Sequence, residues 1–399
     1  MQEINLDSLS KLEYLSAVIN ESMRLNPSVI GIAYRHCLKD DYLTMVDGKS
    51  VFVPKGTQVY SNCAANPSNP QYWTRSDEFL PGNITCQTQC FTMLFKSDSL
   101  MVGMVKDLLA RWPQHVAPVL EEAEAAMGAN LKSLMMDGPQ DQLTHTSIAQ
   151  PAILTHSYAV LQILKKEANF NVNDYGYALG HSLGQFSALV ATNALQFADA
   201  VQLVHFRGKA MMQAMQGASD PGAMAALLPA TAETGDAICA RVQKETGLVC
   251  QVANYNSSKQ VVISGNAVAI NAAIKMAKEF KVRRAVLLDV SAPFHCALMQ
   301  PAADQLAVAL ERIRFKEPSI PVICNVTADK LAVEDMRARL SWQVVAPVKW
   351  SQSIDFCLHH NASHFLELGY GGVLTGLITQ HSKETKCTYI HPALYSYAN

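Results

Sequence analysis

Apolar and polar positions recur with two different periods along this chain, and the switches between them mark its elements. Residues 11–25 place Leu12, Leu15, Ile19 and Met23 on one helical face, and Pro27 ends the run. Residues 42–46 and 50–53 are short strand-like runs around a turn at Asp47-Gly48. From Met101 onward the pattern becomes regular α/β, with helices predicted over 102–110, 118–127 and 150–165. An apolar run over 175–179 predicts a buried strand, and 185–191 predicts the helix after it. Between residues 220 and 290 the order changes. An apolar run at 223–228, a helix over 231–244, strands at 249–253 and 260–264, a helix over 267–280 and a strand at 285–290 follow one another. This β-α-β-β-α-β order predicts a small ferredoxin-like subdomain inserted into the larger unit. No internal repeat or low-complexity segment interrupts the chain.

Composition narrows the function. The chain has 399 residues, 49% hydrophobic and 17% charged, so it can bury more than one core. Its formal net charge of -2 comes without a long basic run, which excludes nucleic acid as a partner. No uninterrupted apolar run reaches membrane-spanning length, so no membrane association is expected. The first residues lack the basic start, apolar stretch and cleavage site of a signal peptide. Ten cysteines are scattered without paired spacing. Cys86 and Cys90 form a C-x3-C with no second half, so free thiols in a reducing compartment are expected and no metal site.

The chemistry centres on Gly180-His181-Ser182-Leu183-Gly184, which fits the G-x-S-x-G nucleophile elbow. The pattern requires a strand before the serine and a helix after it, and both are predicted here. Ser182 would stand free at the strand tip, with the Leu183 N–H at the helix start facing any oxyanion formed there. A serine nucleophile needs a base. Among 12 histidines, His295 follows a predicted strand and precedes an apolar helical run, so it lies on a loop at a sheet edge. His181 abuts the serine, but neighbours on an elbow point apart.

Two family resemblances now appear. Glu21-Ser22-Met23-Arg24, Val53-Pro54-Lys55-Gly56-Thr57, and Tyr72-Trp73 followed by Asp77-Glu78-Phe79-Leu80-Pro81 make residues 11–83 resemble the late middle part of a cytochrome P450. Read alone, Glu21 and Arg24 are an i, i+3 surface pair. The Gly-rich cysteine loop that holds a thiolate haem should follow Pro81, and Asn83 to Cys90 lacks its glycines and arginine. This truncated fragment is therefore expected to bind no haem, and residues 84–100 read as a junction.

Residues 101–398 resemble a malonyl-CoA:acyl carrier protein transacylase. The resemblance rests on Gly180 to Leu189, Phe206-Arg207-Gly208-Lys209-Ala210-Met211, Asn254-Tyr255-Asn256-Ser257, Gln260 to Gly265, Pro293 to Met299 and Glu367 to Leu377. It implies an α/β-hydrolase-like parallel-sheet core over 101–219 and 291–399, with the ferredoxin-like subdomain at 220–290. It also implies a ping-pong acyltransferase without cofactor, acting as a monomer on malonyl-CoA and acyl carrier protein in fatty acid synthesis. Ser182 becomes the nucleophile and His295 the base, with the Gln343 carbonyl orienting it. Arg207 becomes the partner of the malonyl carboxylate, and Phe294 a determinant of malonyl over methylmalonyl. Read alone, Arg207 is a helix-surface arginine and Phe294 ordinary packing. Stand-alone relatives serve bacteria or mitochondria, and beside a eukaryotic-looking P450 stretch a mitochondrial location is expected, the cytoplasm being the alternative.

One departure is marked. The family opens with F-P-G-Q-G-x-Q, whose glutamine N–H is the second oxyanion donor. Here Phe95 runs into Lys96-Ser97-Asp98-Ser99-Leu100, without the glycines and glutamines and one residue short. Losing one oxyanion donor costs on the order of 100- to 1000-fold in turnover. A carrier-protein binder without activity is thus a second reading, and a haem monooxygenase a third.

Overall fold

The computed structural model describes residues 31–36, 41–44, 50–53, 58–62, 90–95, 100–168, 170–381 and 385–389. It divides into two units, Met1–Gln89 and Cys90–Asn399. Four strands are described in the first: β1 (Gly31–His36), β2 (Asp41–Thr44), β3 (Ser50–Val53) and β4 (Gln58–Asn62). β1 pairs antiparallel with β4, and β2 with β3. The expected helix at 11–25, with Glu21 and Arg24, and the Asp47-Gly48 turn lie outside the described residues.

The second unit carries β5 (Cys90–Phe95), β6 (Tyr177–Gly180), β7 (Ala223–Leu228), β8 (Cys250–Ser257), β9 (Gln260–Gly265), β10 (Arg284–Leu287), β11 (Ala362–Leu368) and β12 (Lys386–Tyr389). Its main sheet runs β12-β11-β5-β6, parallel throughout, and Val322 extends it by a parallel bridge to Ala178. Both faces are covered, which is why β6 reads as an unbroken apolar run. Met93, Phe95 and Ala178 face a core built with the Pro113–Met127, Thr146–Glu167 and Phe197–Gln213 helices. Leu94, Tyr177 and Leu179 face Trp350, Ile354 and Phe365.

β5 corrects the expected junction at 84–100. Its backbone sits at the centre of the sheet, with Phe95 level with Leu368 on one side and Gly180 on the other. Only six residues long and flanked by polar ones, this segment has no two-residue alternation to mark it as a strand. Its partners are distant in sequence.

The insertion is a ferredoxin-like sheet in the order β10-β7-β9-β8, antiparallel at every step. Ala225 and Leu227 of β7 face the Ala232–Thr246 and Ala267–Met276 helices through Ile238, Val242 and Ile270. Met224 and Ala226 face the opposite way, toward Leu288 and Phe294. β10 is shorter than the expected strand at 285–290, because residues 288–290 leave the sheet to line a cleft. The helix expected at 102–110 begins at Lys106, after Gly103 turns at φ 90. The helix expected at 118–127 begins earlier, at Pro113, a residue suited to a first helical turn. Among the described residues no helix is long and apolar enough to cross a membrane.

The place of β5 gives a test by truncation. A chain starting at Cys90 keeps every strand of the main sheet and should melt cooperatively near the full-length temperature. A chain starting at Met101 loses the central strand and should be insoluble or lack a cooperative melt by circular dichroism. Equal melting of the two truncations would refute this account of the sheet.

Candidate active site

The elbow is built where β6 leaves the sheet. A side chain on Gly180 would place its Cβ 1.8 Å from the Gly184 carbonyl carbon, so the strand and the Gly184–Ala191 helix meet only through glycine. Ser182 between them has φ 50, a left-handed conformation that costs a non-glycine residue about 1–3 kcal/mol. Hydrogen bonds hold it there. Its N–H donates to Asn325 Oδ1 at 2.8 Å, and its carbonyl accepts from Gln343 Nε2 at 3.0 Å.

His295 reaches the serine from the loop after β10. Ser182 Oγ lies 2.8 Å from His295 Nε2, and Nδ1 lies 2.7 Å from the Gln343 carbonyl oxygen. A carbonyl only accepts, so Nδ1 carries the proton and the Nε2 lone pair faces the Ser182 hydroxyl. Burial, reinforced by the nearby charge of Arg207, pushes His295 down to about 3. At neutral pH the ring is therefore uncharged and able to accept a proton.

Arg207 lies on the Phe197–Gln213 helix, whose next residue, Gly208, permits close approach to the Thr146–Glu167 helix. A Cβ on Gly208 would sit 2.6 Å from the Ser147 Cα. Arg207 is thereby drawn inward to 3% exposure, contrary to its reading as a helix-surface residue. It donates to Gln150 Oε1 at 2.7 Å and Gln343 Oε1 at 3.1 Å, with Ser182 Oγ 3.4 Å away. Its Nε has no hydrogen-bond partner, and among the described residues no carboxylate pairs with the group. Burial pushes the guanidinium down to about 9, so it remains charged at neutral pH. Neutral amides hold a planar cation beside a nucleophile, an arrangement that an anionic group would complete.

A cleft of 480 Å³ opens onto these groups between the main sheet and the ferredoxin-like subdomain. Met211, Met224, Val262 and Leu288 give it apolar walls, and Ser182, His295 and Arg207 supply convergent polar groups. Phe294 both lines the cleft and packs on the subdomain's inner face. Leu183 precedes the first helical residue, and among the described residues its N–H meets no protein acceptor. Lys96 to Ser99, where the second oxyanion donor was expected, lie outside the described residues.

The geometry adds residues that sequence reasoning missed. Gln150 anchors Arg207, while Asn325 and Gln185 surround the elbow. Gln185 lies inside the matched stretch Gly180 to Leu189, and Asn325 left a signal as a polar interruption after the apolar run Val322-Ile323-Cys324. His181 stays outside the Ser182–His295 pair, with its Nε2 2.9 Å from Asn256 Oδ1. Glu367, in the last matched motif, is structural, since it accepts the N–H groups of Leu374 and Thr375 at the start of the Val373–His381 helix. A thiolate haem would need a cysteine presented from a loop. Of the two cysteines weighed as haem ligands, Cys90 opens β5 with its backbone level with Ala362, and Cys86 lies outside the described residues.

Known protein families match successive parts of this chain. Residues 101–389 match the acyl transferase domain model, and residues 1–97 match that of cytochrome P450. The malonyl CoA-acyl carrier protein transacylase of Bacillus subtilis (strain 168) is 39% identical over 289 residues, which cover 72% of this chain and 89% of that protein. The corresponding protein of Escherichia coli (strain K12) is 40% identical over 282 residues, covering 70% and 88%. Among solved structures, the acyl-carrier-protein-S-malonyltransferase from Bartonella henselae superposes with a TM-score of 0.72 at 35% identity, covering 77% of this chain and 97% of that one. A malonyl-transacylase solved in complex with a type II PKS acyl-carrier protein gives 0.71 at 35% identity, covering 75% and 95%. Beyond its P450-like first unit, the chain belongs to the acyl transferase family, alongside the malonyl CoA-acyl carrier protein transacylases.

Proposed function

We propose that this chain transfers a malonyl group from malonyl-CoA to the phosphopantetheine thiol of an acyl carrier protein, for fatty acid synthesis. The observation that carries the reading is Arg207, buried and charged with no carboxylate partner among the described residues, 3.4 Å from the nucleophile oxygen. The malonyl carboxylate supplies that partner.

Each step follows from the bonds in the site. Ser182 Oγ gives its proton to His295 Nε2 and attacks the thioester carbonyl carbon. The carbonyl oxygen becomes an oxyanion facing the Leu183 N–H. As the tetrahedral centre collapses, the bond to sulfur breaks and CoA leaves with the proton from His295, giving a malonyl-serine ester. The carrier thiol then gives its proton to His295 and attacks the ester carbonyl. Collapse frees the serine oxygen, which takes the proton back. The same Arg207 charge that grips the carboxylate also lowers the basicity of His295. A bound carboxylate offsets that charge and so relieves the smaller of the two effects that weaken His295, burial being the larger.

No haem or other resident cofactor takes part in this reading. A mitochondrial location is proposed on the P450-like stretch alone, with the cytoplasm as the alternative.

Ser182→Ala should abolish transfer and covalent labelling. Mass spectrometry after mixing with malonyl-CoA should place the adduct on Ser182, and an adduct on Cys296 or another thiol would sink the assignment. Arg207→Ala removes a buried charge partner worth about 3–5 kcal/mol. Malonyl kcat/KM should fall by at least about 100-fold while acetyl transfer persists or rises, so unchanged discrimination between the two thioesters would argue against the carboxylate role. Replacing Lys96 to Leu100 with Pro-Gly-Gln-Gly-Ser-Gln should raise malonyl transfer at least roughly tenfold by returning an oxyanion donor. A native chain already as fast as its relatives would mean that residues 96–100 supply the donor themselves.

A further inference from the structure

We infer that Asn325 is a positioning residue that aims the oxyanion-binding peptide, an inference that rests on the proposed acyl transfer. The Ser182 carbonyl and the Leu183 N–H belong to one peptide unit, so whatever fixes the first aims the second. Gln343 Nε2 donates to that carbonyl at 3.0 Å and also lies 3.1 Å from Asn325 Oδ1. Asn325 itself spans the elbow. Its Oδ1 accepts the Ser182 N–H at 2.8 Å, and its Nδ2 donates to the Gly180 carbonyl at 2.7 Å. Its own N–H is taken by Gln185 Oε1 at 2.8 Å, on the helix that follows the nucleophile. At 1% exposure, water cannot replace these bonds.

The requirement is for asparagine in particular. The elbow offers an N–H on one side of the turn and a C=O on the other, and a single planar amide meets both. Aspartate keeps the acceptor, loses the donor and sets a carboxylate oxygen against the Gly180 carbonyl. Alanine loses both bonds, and Ser182 then holds φ 50 without its anchor. The Leu183 N–H, at the start of the helix, is the donor assigned to the oxyanion in the proposed reaction, so its aim weighs heavily on the rate. Asn325 makes no bond to His295 or Arg207. Without Asn325, Gln343 keeps its bonds to Ser182, Gln185 and Arg207, so proton transfer and carboxylate binding should be affected far less than the elbow.

The test compares Asn325→Ala and Asn325→Asp with the parent in the full chain. Rapid-quench malonylation of Ser182 should slow by about 100-fold in Asn325→Ala. The KM for malonyl-CoA should change by less than about threefold, and the pH profile of acylation should keep its midpoints. Amide hydrogen exchange read by mass spectrometry should speed up across residues 181–186 while 177–179 stay protected. If Asn325→Ala does not fold, the near-isosteric Asn325→Asp carries the same measurements. A raised KM or a shifted pH midpoint would place Asn325 with Arg207 or His295 and overturn the inference, as would unaltered exchange at the elbow. If the parent chain takes up no malonyl group, the proposed function fails, while the exchange comparison still decides whether Asn325 holds the elbow.

Discussion

The active site is organised around one charge that has no counter-charge among the described residues. Arg207 is buried beside the nucleophile, and the fold answers it with amide oxygens from Gln150 and Gln343 and with the Phe186 ring 5.7 Å away. Amides orient a guanidinium without neutralising it. Each neighbouring feature follows from that choice. Gly208 brings the helix close enough to bury the group, and His295 stays neutral partly because Arg207 faces it. A carboxylate already present in the protein would quench the site. The missing partner is left for the substrate, and a pocket that recognises malonyl by this means also tunes its own base.

Gln343 joins the two halves of the chemistry. Its backbone carbonyl fixes the tautomer of His295, its side-chain oxygen accepts from Arg207, and its side-chain nitrogen holds the Ser182 carbonyl. No aspartate is needed behind the histidine, because a neutral carbonyl orients the ring without adding a second charge near Arg207. The apolar walls come from a different source. The ferredoxin-like sheet turns one face to its helices and lends the other, through Met224 and Val262, to the cleft.

The first unit and the acyl transferase unit meet in sequence at an instructive place. The P450 match runs to residue 97, yet residues 90–95 form the central strand of the acyl transferase sheet. A strand flanked by two parallel neighbours needs little more than apolar side chains on both faces and free backbone donors and acceptors. Cys-Phe-Thr-Met-Leu-Phe meets that need whatever precedes it.

The sequence by itself determined the elements whose causes are local. The elbow was legible because Gly180, Ser182 and Gly184 encode a turn that other residues cannot make. The ferredoxin-like subdomain was legible because its strands and helices follow in order with clear periods. His295 was legible through its place between a strand and a helix, sharpened by the family motifs. Tertiary structure alone decided what depends on distant partners. β5 lacks a local period and became a central strand only beside β6 and β11. Arg207 reads as a surface residue until Gly208 draws its helix against Ser147. Gln150 and Asn325 have no motif of their own, since a buried amide is recognisable only once the chain has brought its partners, Arg207 for the one and the Gly180 carbonyl and Ser182 N–H for the other, against it.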